Sequence, residues 1–359
     1  MVGVRRCAHP LQRCLGWVFG RLYVRGGRYA CYDQSRYLAR HPTPAQRAVG
    51  FDWALYQVML GDRDRVRAYR RDIEATVHGK TVLEIGPGPT AVFTRIAAES
   101  GAELVVAVEA NAWVAGEARR RVRRFGSRVE VLARHSDDLD PAEVAGRRHF
   151  DVLVVESYHA IAGQEGVVET LQRLRANGFT FGEVISRGFS TYVAPSAAPV
   201  SGRMTAAERV AMGWPATRGS ADTAMALRPC SLHGDMSRIG SRRLAPAQLW
   251  QQTDFEVGAG PVTAASLTFD IERAEDYAGL QFSNHFHFHH GVLDTATTPT
   301  SWGVFFVPLP VVAAAGPQRS SPAGPAVLTL STRLPHPGHS ATVELRAKLA
   351  GSHSAPRRL

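Results

Sequence analysis

A glycine turn and four glutamates stand where nucleoside chemistry would need them. Val82-Leu83-Glu84-Ile85-Gly86-Pro87-Gly88 reads as a short apolar strand running into a tight turn. A second apolar run, Leu104 to Val108, ends in Glu109 about twenty residues later. A carboxylate there can accept both hydroxyls of a ribose. The stretch Gly86-Pro87-Gly88-Pro89-Thr90-Ala91 also satisfies G-x-G-x-x-G/A, so spacing alone leaves a dinucleotide site open. The prolines argue against it. A pyrophosphate needs backbone N–H donors from the turn, and Pro87 and Pro89 have none. Glu84 would repel a pyrophosphate but could organise an ammonium. Together these features favour a nucleoside cofactor without phosphate, S-adenosylmethionine. A purely structural strand and turn in another α/β fold remains the alternative.

The elements that must position these residues follow from periodicity. Residues 52–78 have a helical pattern, with Trp53, Tyr56, Leu60 and Asp64 on recurring turns and charges such as Asp62, Arg63 and Arg65 between them. Thr81 to Ile85 is the first strand, and a helix with Val92, Phe93, Ile96 and Ala97 on one face stops at Gly101. A second strand is Leu104 to Val108, followed by a helix over about 112–125. Val129 to Leu132 is a third strand. Phe150 to Val155 is a fourth, ending in Glu156, and a helix from about Glu165 to Ala176 stops at Asn177-Gly178. Strands apolar on both faces, alternating with helices, predict a parallel sheet covered by helices.

Past about residue 182 the texture changes. Val184 to Val193, Val262 to Ile271, Leu280 to His289, Trp302 to Val307, Val327 to Thr332 and Thr342 to Leu345 read as strands separated by Gly and Pro. The expected fold class is therefore α/β: a Rossmann-like domain followed by a mostly antiparallel β-barrel-like domain. The boundaries are a basic N-terminal segment over 1–45, expected to be poorly ordered, a nucleoside-binding domain with its leading helix over 46–182, a barrel-like substrate domain over 183–350, and a tail over 351–359. A polar stretch over 195–240 interrupts the second part.

Composition sets outer bounds. The 359 residues are 45% apolar, enough for a sizeable core. The net charge of +10 comes from 42 basic and 32 acidic residues. Runs such as Arg119-Arg120-Arg121 fit a solvated helix face. No nucleic-acid motif or interleaving of aromatic and basic residues accompanies them, so no specific nucleic-acid partner is expected. The four cysteines have neither disulfide nor zinc spacing, which favours a reducing, cytoplasmic setting. No signal peptide is recognised, and the most apolar stretch, Trp302 to Ala315, is too short to span a bilayer and is broken by Pro308 and Pro310.

From about residue 56 the chain resembles the protein arginine methyltransferases. That family opens with a helix reading M-L-x-D-x-x-R-x-x-x-Y, matched by Met59, Leu60, Asp62, Arg65 and Tyr69. Its first strand reads V-L-D-x-G-x-G, matched by Val82 to Gly88 with Glu84 for Asp. It also has two glutamates nine residues apart after the fourth strand, matched by Glu156 and Glu165. The resemblance implies a donor site that includes Met59, Arg65, Glu84, Gly86, Gly88, Glu109 and Asp137. Arg65 would take the methionine carboxylate, Glu109 the ribose and Asp137 the adenine amino group. It implies that Glu156 and Glu165 clamp the guanidinium of an arginine. The implied reaction is methyl transfer from S-adenosylmethionine to a guanidino nitrogen of a protein, a peptide, free arginine or another small compound, and a homodimer stays open.

The chain also departs from that pattern. Thr90 replaces the third glycine. The paired aromatic motif before the first helix is not recognisable in Arg47-Ala48-Val49-Gly50-Phe51, and no dimerisation arm is recognisable over 195–240. Thr300-Ser301-Trp302 stands where the family has T-H-W, so Ser301 replaces its histidine. These losses bear on the acceptor more than the donor. Methylation of an amine or hydroxyl of a metabolite, a non-catalytic cofactor-binding scaffold and a nicotinamide-dependent oxidoreductase are the competing readings. The run His285-Phe286-His287-Phe288-His289-His290 puts three histidines on one strand face, as metal ligands or as a polar barrel surface. Nothing nearby completes a ligand set, so no metal is assigned.

Overall fold

The computed structural model describes residues 59–144, 146–159, 161–197, 230–232, 242–256, 260–298, 300–309, 312–313, 325–333, 344–349, 352–353 and 357–358. The basic segment 1–45 and most of the stretch 195–240 lie outside these residues.

Helix α1 spans Arg63–Thr76. It is shorter than the periodicity over 52–78 suggests. Residues 52–58 lie outside the described part, and the helical turn at Met59–Gly61 is interrupted at Asp62. There the carboxylate accepts the backbone N–H of Arg65 and caps α1, competing with a continuous helix. The buried stripe of α1 is Arg65, Tyr69, Asp72 and Ile73, an amphipathic spacing carrying two charges inward. Its exposed face is laced by short-range pairs such as Arg70–Glu74.

The first sheet contains strands β1 (Thr81–Ile85), β2 (Leu104–Val108), β3 (Val129–Leu132), β4 (His149–Val155) and β5 (Thr180–Ile185), in the order β3-β2-β1-β4-β5 and all parallel. Between them run α2 (Val92–Glu99), α3 (Ala112–Val122) and α4 (Val167–Ala176). The strand order reverses between β1 and β4, and in such sheets ligands bind outside the carboxyl ends of the strands at that point. Glu84 lies near the end of β1, and Glu156 directly follows β4.

The strand expected over 184–193 is two strands in two sheets. β5 ends at Ile185, and β6 (Gly188–Ala197) begins the antiparallel part after Ser186 and Arg187. The polar break Ser186-Arg187-Gly188 within that run is where the chain changes sheet. Among the described residues one antiparallel sheet runs β7 (Cys230–Leu232), β13 (Val304–Pro308), β11 (Tyr277–Phe288), β6, β8 (Gln248–Asp254), β9 (Val262–Thr263), with β12 (Gly291–Asp294) paired to β11. Another contains β10 (Ser266–Ile271), β15 (Ala326–Arg333) and β16 (Glu344–Leu349) with three two-residue strands. Trp250, Phe269, Leu280, Phe282, Leu328 and Leu345 fill the core between them.

One face of β11 changes partner along its length. Leu280 and Phe282 belong to the barrel core, while Phe286 and Phe288 belong to the core of the parallel domain. Helix α1 closes this junction. Tyr69 stacks on Phe93, meets Phe288 edge-on and donates its hydroxyl to the Val155 carbonyl at 2.9 Å. The buried Asp72 carboxylate accepts the backbone N–H of His289 (2.7 Å) and of His290 (3.2 Å), and its Oδ1 lies 2.8 Å from His290 Nδ1.

The histidine run therefore splits. His285 lies 3.4 Å from Asp294 and His287 Nε2 2.9 Å from Ser190 Oγ, on the strand. His289 and His290 lie in the turn after β11, so the three-histidine face does not form. Asp72→Ala removes the buried acceptor of two part-buried amides, and an unmade buried hydrogen bond costs about 1–3 kcal/mol. We expect a loss of about 2–3 kcal/mol in urea denaturation, whereas Arg70→Ala should change stability by less than about 0.5 kcal/mol. Equal midpoints for Asp72→Ala and the unsubstituted protein would show that this clamp contributes nothing.

Candidate active site

The glycine turn after β1 is built by backbone conformation. Gly86 and Gly88 have φ of 73° and 65°, the left-handed region that favours glycine. The Gly86 N–H donates to the Val108 carbonyl at 2.9 Å, tying the turn to the end of β2. Just beyond β2, Glu109 accepts the N–H of Gly88 at 3.3 Å through Oε2 and of Asn111 at 2.9 Å through Oε1. Each oxygen keeps a lone pair for a further donor. Burial pushes the Glu109 carboxyl above its usual range, against the pull of these two N–H groups.

Glu84 is almost wholly buried, and its Oε2 accepts the Thr94 hydroxyl from α2. Burial raises its carboxyl to about 8; the Thr94 hydrogen bond opposes this, and the charges of Glu109 and Glu156 add to it.

Arg65 is the centre of the site. It is 3% exposed, so the charge carried inward by α1 has almost no contact with water. Nη2 donates to the Met59 carbonyl at 2.8 Å, and Nη1 lies 2.7 Å from Glu156 Oε1. Phe93 and Trp302 lie under the guanidinium at 5.9 and 5.7 Å. Nε makes no hydrogen bond, and Nη1 meets Glu156 as an ion pair without hydrogen-bond alignment. The two partners respond differently to this setting. Burial lowers the Arg65 value, but Glu156 and Asp62 more than reverse it, so the guanidinium stays charged. Glu156 is raised, because burial outweighs the pull of Arg65. Arg65 is the firm charge of the pair, since a guanidinium does not give up its proton in proteins.

Glu165 is held at the other side. It ends a short 3-10 turn, Ala162–Glu165, and α4 starts only at Val167, after Gly166 at φ 79°. The expected helix over 165–176 thus starts two residues later and keeps its end at Ala176, and Glu165 is not its first residue. The Glu165 carboxyl is pushed up to about 8, by burial first and then by Glu156, with Arg65 opposing. Its side chain is nevertheless exposed to solvent. Water therefore limits the burial contribution, and the like charge of Glu156 is the more secure cause.

Met59, Arg65, Glu84, Gly86, Gly88, Glu109, Glu156 and Glu165 thus share one region. Asp137 is engaged elsewhere: its Oδ2 lies 3.0 Å from Arg173 Nε on α4. Two further residues complete the region. Asp62 Oδ2 accepts both the N–H (2.6 Å) and the hydroxyl (2.9 Å) of Ser301, while its Oδ1 caps α1. Trp302, packed on Phe286 with ring centroids 4.0 Å apart, also meets Tyr158 edge-on. An aspartate three residues before Arg65, at a helix start, is an N-cap signal legible in the sequence. Its second bond, to a loop more than two hundred residues away, is not.

Glu84 folds with a carboxyl near 8 against an ordinary value of 4.5. The folded form then holds a proton that the unfolded chain releases, so stability is full below 4.5 and falls as pH rises through 8. Glu84→Gln should remove part of that fall, about 1 kcal/mol or more between pH 5 and 8. Denaturant titrations at the two pH values check this, and an unchanged slope would mean that Glu84 is already ionised in the folded protein.

No protein-family model and no curated protein matches the chain. Solved structures do. The Trypanosoma brucei PRMT1 enzyme–prozyme heterotetrameric complex with AdoHcy superimposes with a TM-score of 0.59 at 16% identity, over 85% of this chain and 97% of that one. Arabidopsis thaliana protein arginine methyltransferase 10 gives 0.57 at 17%, over 85% and 96%. A PRMT6 structure with SAH gives 0.53 at 17%, over 83% and 100%. The parallel sheet followed by antiparallel sheets is therefore the protein arginine methyltransferase fold.

Proposed function

We propose that the protein is an S-adenosylmethionine-dependent N-methyltransferase acting on a guanidino nitrogen. The observation that carries this reading is the Arg65–Glu156 pair at 2.7 Å, which joins a donor-side carboxylate set to an acceptor-side one. The residues present fit the donor. The buried Arg65 Nε without a hydrogen bond suits a carboxylate, the raised Glu84 an ammonium, and Glu109 a ribose diol. Bound there, S-adenosylmethionine would supply an electrophilic methyl on a sulfonium. Asp137, paired with Arg173, would need to leave that pair to meet an adenine.

On the acceptor side, Glu156 and Glu165 hold a guanidinium from two directions and draw its delocalised charge away from one terminal nitrogen. That fixes the nitrogen in line for attack, an orientation effect worth up to roughly 7–11 kcal/mol in favourable cases. A methylated guanidine leaves with the same charge as it entered, so one proton is lost per transfer, and the Glu165 carboxylate stands ready to take it. The open face of Glu165 suits an acceptor that arrives from solvent, such as an arginine of a protein or peptide or free arginine.

Labelled S-adenosylmethionine offered with free arginine and with an arginine-bearing peptide tests the reading, mass spectrometry identifying the product. Glu165→Gln is expected to lower turnover by roughly 100-fold while calorimetric donor affinity stays within about twofold. Binding of NAD without S-adenosylmethionine would falsify the donor assignment. Acceptor binding should also depend on pH. Glu165, held above its ordinary range, must ionise to pair with a guanidinium, so the acceptor KM should fall as pH rises through its titration. That trend should vanish in Glu165→Gln; its persistence would assign the titration to another group.

A further inference from the structure

The two glutamates are joined by a loop that leaves the parallel sheet at Glu156 and returns to it at α4. Its middle is gripped by the barrel. Tyr158 sits among Phe189, Phe286 and Trp302, its hydroxyl 2.6 Å from Ser186 Oγ. The His159 ring meets Phe305 edge-on at 5.8 Å. Ile161, 1% exposed, is part of the barrel core and not of the core of its own sheet. Directly after it, the Ala162 N–H donates to Asn284 Oδ1 at 3.3 Å. Ala162 opens the turn that ends in Glu165.

Asn284 and Thr191 are opposite each other on β11 and β6, both without solvent exposure. The Thr191 hydroxyl donates to the same Asn284 Oδ1 at 2.8 Å. The backbone of Asn284 is fixed as well: its N–H donates to Thr295 Oγ1 at 2.9 Å and its carbonyl accepts the Thr295 N–H at 2.9 Å. This polar group lies on the β11 face between Phe282 of one core and Phe286 of the other. Two apolar side chains could fill that position without burying polar atoms. What the polar pair adds is a directed bond to the loop that carries Glu165.

We infer that Asn284, oriented by Thr191, is a positioning residue that sets the place of Glu165 and hence of the acceptor. The inference rests on the methyl-transfer reading above. The barrel then does more than cover the cofactor domain: it decides where the second carboxylate stands. Asn284 acts only through Glu165, so its loss moves the acceptor parameters and leaves the donor site alone.

A double-mutant cycle with labelled donor and the arginine peptide tests this. Asn284→Ala should lower kcat/KM roughly 10–100-fold, the scale of a small misplacement, with donor affinity unchanged. In a Glu165→Gln background the same substitution should have almost no further effect. Thr191→Val should give a smaller loss that Thr191→Ser restores. Additive losses in the cycle, or donor affinity falling in step with turnover, overturn the inference. Hydrogen exchange at the Ala162 amide supplies a readout independent of activity, and Asn284→Ala should speed it at least tenfold. If the unsubstituted protein binds the donor but methylates no guanidine, the functional reading fails, and unchanged exchange at Ala162 separately overturns the link to Asn284.

Discussion

A guanidinium with almost no access to water is the constraint around which this molecule is arranged. Removing a charge from water is costly unless it is paired and hydrogen-bonded. Arg65 meets that demand with groups from three directions: the Met59 carbonyl, Glu156 after β4, and the rings of Phe93 and Trp302. Each comes from a different element. The same pairing therefore orders the helix that precedes the sheet, the switch point of the sheet and a loop of the barrel. Asp62 reinforces this, since one of its carboxylate oxygens caps the helix and the other holds Ser301.

Glu156 pairs with that cation and Glu165 feels its charge, while Glu84 and Glu109 lie at the strand ends nearby; all four carboxyls are above their ordinary range. One fixed positive charge cannot satisfy four carboxylates. The excess is relieved by holding protons.

Much of this was legible in the sequence. Four of the five strands of the parallel sheet announce themselves as apolar runs, and the ends of two carry Glu109 and Glu156, whereas β5 is not distinguished from the strand that follows it. The glycines of the turn were visible as glycines because only their conformational freedom permits φ near 70° there. What stayed hidden depended on distant partners. Asp72 on α1 reads as an ordinary helix charge until the amides of His289 and His290 are seen on it. Asn284 reads as one polar residue in a strand until the Ala162 N–H reaches it. Val184 to Val193 reads as one strand because strand-forming residues flank both sides of Ser186-Arg187-Gly188, although that polar break is where the chain changes sheet. The replacement of histidine by Ser301 was visible, but its bond to Asp62 was not.

The two-residue passage from β5 to β6 has a consequence for how the chain acquires its structure. Tyr69 and Tyr158 lie in the earlier half, yet they pack on Phe288, Phe286 and Trp302 far along the later one. A chain emerging from the ribosome in order would complete its parallel sheet with these aromatic side chains bare. They would stay so until β11 and the loop after β12 had been made. The interval leaves a sticky surface in the place where the site will later form. It ties the assembly of the pocket around Arg65 to the last third of translation.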